Sequence, residues 1–410
     1  MTLTITRLTA SGLGMAGDQG PFPRVLPGEV IEPLENGTAR IVTPSSDRVK
    51  APCRHFKGCG GCAMQHASDD FVEDWKTDVI RNGLAARGIA TEIRPILTSP
   101  AESRRRAALH GKRTKSGAMI GFHGRASDVL IETPDCQVLD PQIRAALPVL
   151  GALTVIAASR KAELELRVSV SENGIDLDMR NCKPLDPTAI SQVAALAEAH
   201  KFARIAWDEE VIALRALPHQ QFGSANVCPP PGAFLQATAH GEQVLNRCVE
   251  EALGDARKIA DLFCGCGTFT LPAAAKAEVW ALEGEGALIR ALDHGWREAE
   301  GLKKVTAEER DLFRRPLLAP EMRGIEAVIV DPPRAGAEAQ SIELARSDVP
   351  RIAAVSCNPA SFARDAEILT SGGYDLDWVQ PVDQFRWSSH VELAAQFTKP
   401  HTSTKQRQVV

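Results

Sequence analysis

No apolar run in this chain approaches the roughly 20 residues that a membrane-spanning helix needs, so no transmembrane segment is expected. Met1 to Gly14 lacks a basic region followed by an apolar core, so no secretory leader is expected and a cytoplasmic location follows by default. An excess of positive charge is missing as well. The formal net charge is −5, which does not advertise a nucleic-acid binder, since such proteins often carry a basic domain. Local charge differs from the total. Arg104-Arg105-Arg106 and Lys112-Arg113-Thr114-Lys115 form a basic block, readable as a solvated face or as a nucleic-acid contact.

At 410 residues the chain exceeds one small core, so two or three domains are expected. Residues 2–50 read as short strands and turns, with strand-like runs at Leu3-Thr4-Ile5, Leu26 to Ile31 and Ala39 to Val42. That suits a small β-barrel of the oligonucleotide-binding (OB) type, although composition equally allows an ordinary β-rich segment. Glu73 to Gly88 places Trp75, Val79, Ile80 and Leu84 at helical spacing. From about 92 to 217, strands at Leu164–Val170 and Gly174–Met179 mix with an alanine-rich helix from Ile190 to His200. Alternation in both strands predicts a sheet exposed on one face, and no catalytic constellation is visible there. Cys228-Pro-Pro-Pro-Gly232 breaks the chain. Beyond it, strand-like runs at 258–263, 278–283, 327–331 and 351–355 alternate with helical stretches, which predicts a parallel, doubly wound sheet. The expected division is an OB-like module over 1–50, a central α+β domain over 51–228 and a Rossmann-like α/β domain over 229–410, with helix 73–88 able to pack on the last.

Of ten cysteines, three crowd into Cys53-Arg-His-Phe-Lys-Gly-Cys59-Gly-Gly-Cys62. In a cytoplasmic protein such crowding suggests metal or redox chemistry rather than disulfides. Cys136 is the expected fourth ligand. A cubane iron–sulfur cluster takes four cysteines, and tetrahedral zinc would use the same set, so the spacing leaves both open.

Asp261-Leu-Phe-Cys-Gly265-Cys-Gly267-Thr-Phe joins a strand to a helix, and its glycines let a turn approach a ligand closely. Glu283, at the end of the next strand, is placed to accept both hydroxyls of a ribose. The third glycine of the dinucleotide fingerprint is absent, with Thr270 in its place. Together with the acidic strand end, this favours S-adenosylmethionine over NAD; a tight turn without a ligand is the plain alternative. Asp331-Pro332-Pro333-Arg334 follows an apolar strand, and its prolines force the chain out of the sheet. Asp331 then points into a cleft or merely caps a turn. Cys357, in Val355-Ser-Cys-Asn-Pro359, ends another apolar run, where open α/β sheets place their chemistry; it reads as a nucleophile.

In chain order, Asp-Leu-Phe-Cys-Gly-x-Gly-Thr-Phe (261–269), Asp-Pro-Pro-Arg-Ala-Gly (331–336), Ser-Cys-Asn-Pro-Ala-Ser-Phe-Ala-Arg-Asp (356–365) and Asp383-Gln-Phe-Arg-Trp-Ser-Ser-His390-Val-Glu392 resemble the S-adenosylmethionine-dependent RNA uracil-C5 methyltransferases. The cysteine group with Cys59-Gly-Gly-Cys62 is similar to the branch that carries a [4Fe-4S] cluster and modifies 23S ribosomal RNA. The resemblance spans nearly the whole chain. It implies Cys357 as nucleophile, Glu392 as general base and Asp331 beside the target base. It implies Gln236, Phe263, Gly265, Gly267, Glu283 and Asp331 around S-adenosylmethionine, and Cys53, Cys59, Cys62 and Cys136 on the cluster, with zinc the less favoured metal. RNA, above all 23S rRNA, is the expected partner of a monomer without membrane attachment. Against the family pattern, the N-terminal module is shortened. Ala237-Thr238 replace the usual Val-Asn after Gln236, and Arg386-Trp387-Ser388 replace Pro-x-Thr.

The chemistry explains the residue types. Uracil C5 is too poor a nucleophile to take a methyl group directly. A thiolate adding to C6 makes an enolate with charge at C5, and a base must later remove the C5 proton so that the sulfur is eliminated. Asp331 would accept a hydrogen bond from uracil N3–H, a donor that cytosine lacks. The target must leave its stack to enter such a pocket. His390 is read as orienting the Glu392 loop, Cys264 and Cys266 as packing residues, and Arg364–Asp365 as an ion pair. Methylation of a tRNA uridine is the nearest alternative, and a non-catalytic iron–sulfur RNA-binding protein is the alternative from another class.

Overall fold

The computed structural model describes residues 1–400; the polar tail expected to fray after Thr398 lies, from 401 onward, outside them. The fold is organised on a large mixed sheet. From one edge its strands are Val305–Glu309, Glu278–Glu283, Lys258–Leu262, Ala327–Val330, Arg351–Ser356, Glu392–Thr398 and Asp375–Asp383. The first five are parallel, and Glu392–Thr398 runs antiparallel to both its neighbours. Strand order reverses between Lys258–Leu262 and Ala327–Val330, the switch point at which such sheets hold ligands. Val328 and Val330 pack on one face with Phe362, Ala366 and Leu369, while Ala327 and Ile329 pack on the other with Val244, Leu245 and Leu292. Each large side chain buried this way contributes about 1.5–3 kcal/mol. Burial on both faces is why the strand reads as a continuous apolar run.

Local signals fix the helix starts beside the strand ends. Asn358 caps the helix Pro359–Ser371, its side chain accepting from Ala360 N, with Pro359 in the first turn. Thr238, which stands where the family has Asn, caps Ala239–Leu253 by accepting from Gly241 N at 2.9 Å.

The central sheet has seven strands: Leu130–Glu132, Ala118–His123, Arg106–Arg113, Glu163–Ser171, Gly174–Arg180, Phe202–Trp207 and Glu210–Leu214. One face is covered by the helices Pro141–Ala157 and Pro187–Ala199. The first of these is not visible in the sequence pattern, because Pro148 in its interior reads as a breaker. The other face is less exposed than the alternation suggests. Asp176 and Asp178 are buried, paired with Arg204 and Arg180. The carbonyl of Pro229 accepts from Arg204, and Gly232 backs onto Asp178, so the proline-rich breaker covers this face.

The chain passes between the two sheets more than once. Helix Asp69–Ala85 puts Ile80 and Leu84 into the core of the large sheet, and Gly83 lies against Pro359 and Ala363. The short strands Glu92–Ile93 and Leu97–Thr98 pair beside Asp375–Asp383. A hairpin, Gln220–Phe222 with Ala225–Val227, packs on Leu235, Leu271 and Leu288. Residues 1–43 form six short strands in two three-stranded sheets around Ile5, Phe22, Val25 and Ile31. Among the described residues, no helix is long and apolar enough to cross a membrane.

Candidate active site

The carboxyl ends of the parallel strands open on a cavity of about 470 Å³ lined by Gln236, Phe263, Gly265, Glu283, Asp331, Cys357 and Glu392, among others. Six of these follow from strand geometry, and Gln236 arrives on the segment before the Thr238 cap. Phe263, Glu283, Asp331 and Cys357 each end or directly follow a parallel strand. Glu392 begins an antiparallel strand, so its first residue lies at that same edge. Ser356 is paired with Leu393, which sets Cys357 beside Glu392. Gly267 is the exception. It is absent from the cavity wall and serves packing, since a Cβ there would lie 2.9 Å from Leu271 Cδ1.

The glycine turn over Phe263–Gly265 is held by Glu283. One carboxylate oxygen accepts from Gly265 N at 3.1 Å and the other from Glu285 N at 2.9 Å. Gly265 has φ +55° and Phe263, unusually for a side-chain-bearing residue, +63°. That backbone turns the Phe263 ring toward Phe313, with centroids 5.3 Å apart. Asp261 is fully buried beneath the turn. Thr270 donates to one of its oxygens, and the other has no partner.

The three groups at the reacting end are all held toward their neutral forms. Burial pushes Asp331 up to about 7. Burial and then the Asp331 charge push Glu392 up to about 8, against a hydrogen bond from Gln384. Burial and the Glu392 and Asp331 carboxylates push the Cys357 thiol to about 11, opposed by the Arg334 guanidinium. Such a pocket penalises added negative charge and favours a cation or a neutral planar ligand.

Gln384, whose place in the 383–392 motif carries no sign of a role, joins these groups. Its side-chain nitrogen donates to Gln236 Oε1 at 2.7 Å and to Glu392 Oε2, and its oxygen accepts from Thr238 N at 3.1 Å. A Cβ at position 241 would lie 2.2 Å from Gln384 Cγ, so Gly241 makes room for it. The residues that depart from the family pattern anchor the same loop. Arg386 donates to Asp69 Oδ2 at 2.6 Å and Trp387 Nε1 to Asp69 Oδ1 at 3.1 Å. The Trp387 carbonyl accepts from Ala63 N and Met64 N at 2.7 and 2.8 Å, tying the loop to the cysteine segment. His390 meets the Phe385 ring edge-on, with centroids 5.8 Å apart. Cys264 and Cys266 are buried, and Arg364 pairs with Asp365 at 2.7 Å.

The arginine triplet is not a solvated face. Arg105 donates to the Gln236 carbonyl at 3.2 Å and pairs with Glu242. Arg106 lies 4.7 Å over the exposed ring of Phe234, at the cavity wall. Arg104 is half-buried and makes no ion pair among the described residues; it lies near the thiols of Cys62 and Cys136, and burial lowers it from its ordinary value. Cys53, Cys59 and Cys62 are pushed up by burial, Cys62 to about 12, and each is raised further by Cys136. The four thiols thus face one another, and none is in a disulfide.

Asp311 and Phe313 also line the cavity and were not anticipated. Their signal was their position just beyond the strand Val305–Glu309, at the same carboxyl edge as Glu283.

A family model described as tRNA (Uracil-5-)-methyltransferase matches residues 285–399. A protein of Mesorhizobium japonicum described as an uncharacterized RNA methyltransferase is 41% identical over 404 residues, covering 97% of this chain and 98% of its own. A 23S rRNA (uracil(1939)-C(5))-methyltransferase of Shewanella piezotolerans is 29% identical, covering 97% of this chain and 95% of its own. Among solved structures, the tRNA (uracil-54, C5)-methyltransferase of Pyrococcus abyssi, in complex with S-adenosyl-L-homocysteine, superposes with a TM-score of 0.74 at 22% identity, covering 97% of this chain and 99% of that one.

Proposed function

The chain belongs to the S-adenosylmethionine-dependent RNA uracil-C5 methyltransferases, and we propose that it methylates C5 of a uridine in 23S ribosomal RNA, with Cys357 as nucleophile and Glu392 as base. The observation that carries the reading is the pairing of Ser356 with Leu393, which brings Cys357 and Glu392 to one edge of the cavity that Asp331 also lines. The Shewanella relative's named substrate supports the choice of 23S rRNA.

The Cys357 thiol releases its proton to solvent, and its sulfur adds to uracil C6, opening the C5–C6 double bond and placing charge at C5 and O4. S-adenosylmethionine, when bound, would supply the methyl group to C5 and leave as S-adenosylhomocysteine; Glu283 and the turn at Phe263–Gly265 would hold its nucleoside end, and Gln236 its reacting end. Glu392 then takes the C5 proton, the carbon–sulfur bond breaks, and the double bond is restored. Asp331 accepts from uracil N3–H. A sulfonium beside these acids would favour the charged forms of Cys357 and Glu392, which burial first and neighbouring carboxylates second hold neutral in the open site.

Cys53, Cys59, Cys62 and Cys136 would hold a [4Fe-4S] cluster, which would supply negative charge beside Arg104. The four cysteines, none of them in a disulfide, supply the donor number that a cubane takes.

Mass mapping of rRNA and tRNA from a strain lacking the protein tests the substrate. Loss of 5-methyluridine from 23S rRNA is expected. Loss confined to tRNA would move the reading to a tRNA uridine, and loss from neither would overturn both.

A further inference from the structure

We propose a second metal site, for a transition dication of the zinc class, on the outer face of the central sheet. Its ligands are Nδ1 of His110, Nε2 of His123 and a carboxylate oxygen of Glu163. It is separate from the cysteine group and from the catalytic cavity.

Strand register builds it. Leu109 and Gly111 point into the core, which turns His110 outward. On the next strand His110 is paired with Gly121, which has no side chain to intervene, and His123 follows two residues on, facing the same way. On the other side of His110 runs Glu163–Ser171, with Leu164 and Leu166 inward and Glu163 and Glu165 outward. Three adjacent strands therefore deliver two imidazoles and a carboxylate to one point. The rings stack with centroids 3.9 Å apart. His110 Nδ1 is 3.0 Å and His123 Nε2 2.6 Å from the same oxygen of Glu163. The three ligand atoms all lie within 4.8 Å of one another, and no other set of three among the described residues does so.

Two imidazoles and one carboxylate form a donor set suited to zinc and its neighbours rather than to magnesium or calcium. Ligand bonds of about 2.0–2.2 Å place tetrahedral donors roughly 3.3 Å apart, so the site has to open by less than about 1 Å. The side chains are 27–34% exposed, which leaves the fourth position to water. On binding, each imidazole takes the tautomer protonated on the ring nitrogen facing away from Glu163, any proton on the facing nitrogen passing through solvent, and the facing lone pair turns to the ion. The ion staples three strands. It also braces the strand end that receives the cysteine loop, where Gly60 N donates to the His123 carbonyl at 2.9 Å. Zinc in a purified preparation would then have a binding place other than the thiolates.

The test is titration of cobalt(II) into the full-length protein, read by visible absorption, alongside melting with zinc and with EDTA. Wild type is expected to take up one cobalt with ligand-field bands and no accompanying thiolate charge-transfer band, and to melt higher with zinc than with EDTA. H110A and H123A are expected to lose that cobalt and the zinc-dependent rise while melting like wild type in EDTA. Should either fail to fold, E163Q, which keeps the size of the side chain, carries the same comparison. Equal uptake and equal zinc stabilisation in wild type and variants, or thiolate-bound cobalt alone, would overturn the site.

Discussion

The ammonium of Lys76 lies 2.6 Å from a carboxylate oxygen of Asp383, with both side chains 1% exposed. Lys76 also donates to the Phe385 carbonyl at 3.1 Å, and the second Asp383 oxygen accepts from Phe385 N at 2.9 Å. A helix that follows the cysteine segment thereby fixes, through one buried pair, the loop that carries Gln384 toward Glu392. Breaking such a pair from one side leaves an uncompensated buried charge, at a cost of about 3–5 kcal/mol. Lys76→Met is expected to lower unfolding free energy by that order in denaturant melts. The double variant Lys76→Met with Asp383→Leu is expected to recover part of it. A single variant as stable as wild type would show that the pair does not anchor the loop.

On the proposed mechanism Glu392 must be ionised to accept the C5 proton, and burial pushes it up to about 8. Breakdown of the covalent RNA adduct is expected to speed up as pH rises through that region. Glu392→Gln is expected to accumulate the adduct as a slow-migrating protein–RNA band, and Cys357→Ala to give none. Gln384→Leu removes a donor that favours the charged carboxylate, so the rise in its pH–rate profile is expected to move to higher pH. An unshifted profile would remove Gln384 from the machinery.

Stability without ligands is expected to fall with rising pH. Burial raises Asp261 and Glu392 to about 8 and Asp331 to about 7, from ordinary values of 3.8 for the aspartates and 4.5 for the glutamate. The folded state then keeps protons that the unfolded chain releases, so stability is fully present below the ordinary values and lost as pH rises through the raised ones. Melting temperature is expected to decline between about pH 5 and pH 8.5, and less steeply in Glu392→Gln. A melting temperature that rises over this range in wild type would contradict the assignment.

Phe263 and Phe313 form an aromatic corner of the cavity near Glu283, and the adenine of the cofactor is expected to pack against it. Removing one ring from such an arrangement costs about 0.5–1.5 kcal/mol beyond lost burial. Phe313→Ala, at an exposed position, is expected to raise the Kd for S-adenosylmethionine by roughly three- to tenfold or more in calorimetry, leaving the melting temperature of the ligand-free protein unchanged. An unaltered Kd would place the adenine elsewhere.

The strand ends were legible because burial leaves a local trace. The run Ala327–Val330 followed by Asp331 and two prolines, and Ile352–Val355 followed by Cys357, state in adjacent residues where a strand stops and a reactive group begins. Helix Asp69–Ala85 was legible from its apolar spacing, but its first turn was not, because it is set by the Ser68 cap and by Asp69. Helix Pro141–Ala157 was hidden by Pro148, which tertiary packing tolerates. The arginine triplet looked like one feature, whereas Arg104, Arg105 and Arg106 face the thiols, the Gln236 carbonyl and Phe234 respectively.

The sequence by itself determined the alternation of strands and helices, the turns at Gly265 and Asp331, and the identity of Cys357 as the thiol at a strand end. These are encoded in residues a few positions apart. Only the tertiary structure decided that Glu392 stands beside Cys357, that Lys76 reaches Asp383 and that His110, His123 and Glu163 converge. Each depends on the direction and register in which distant segments pair, and burial of whole faces rather than any local spacing sets that register.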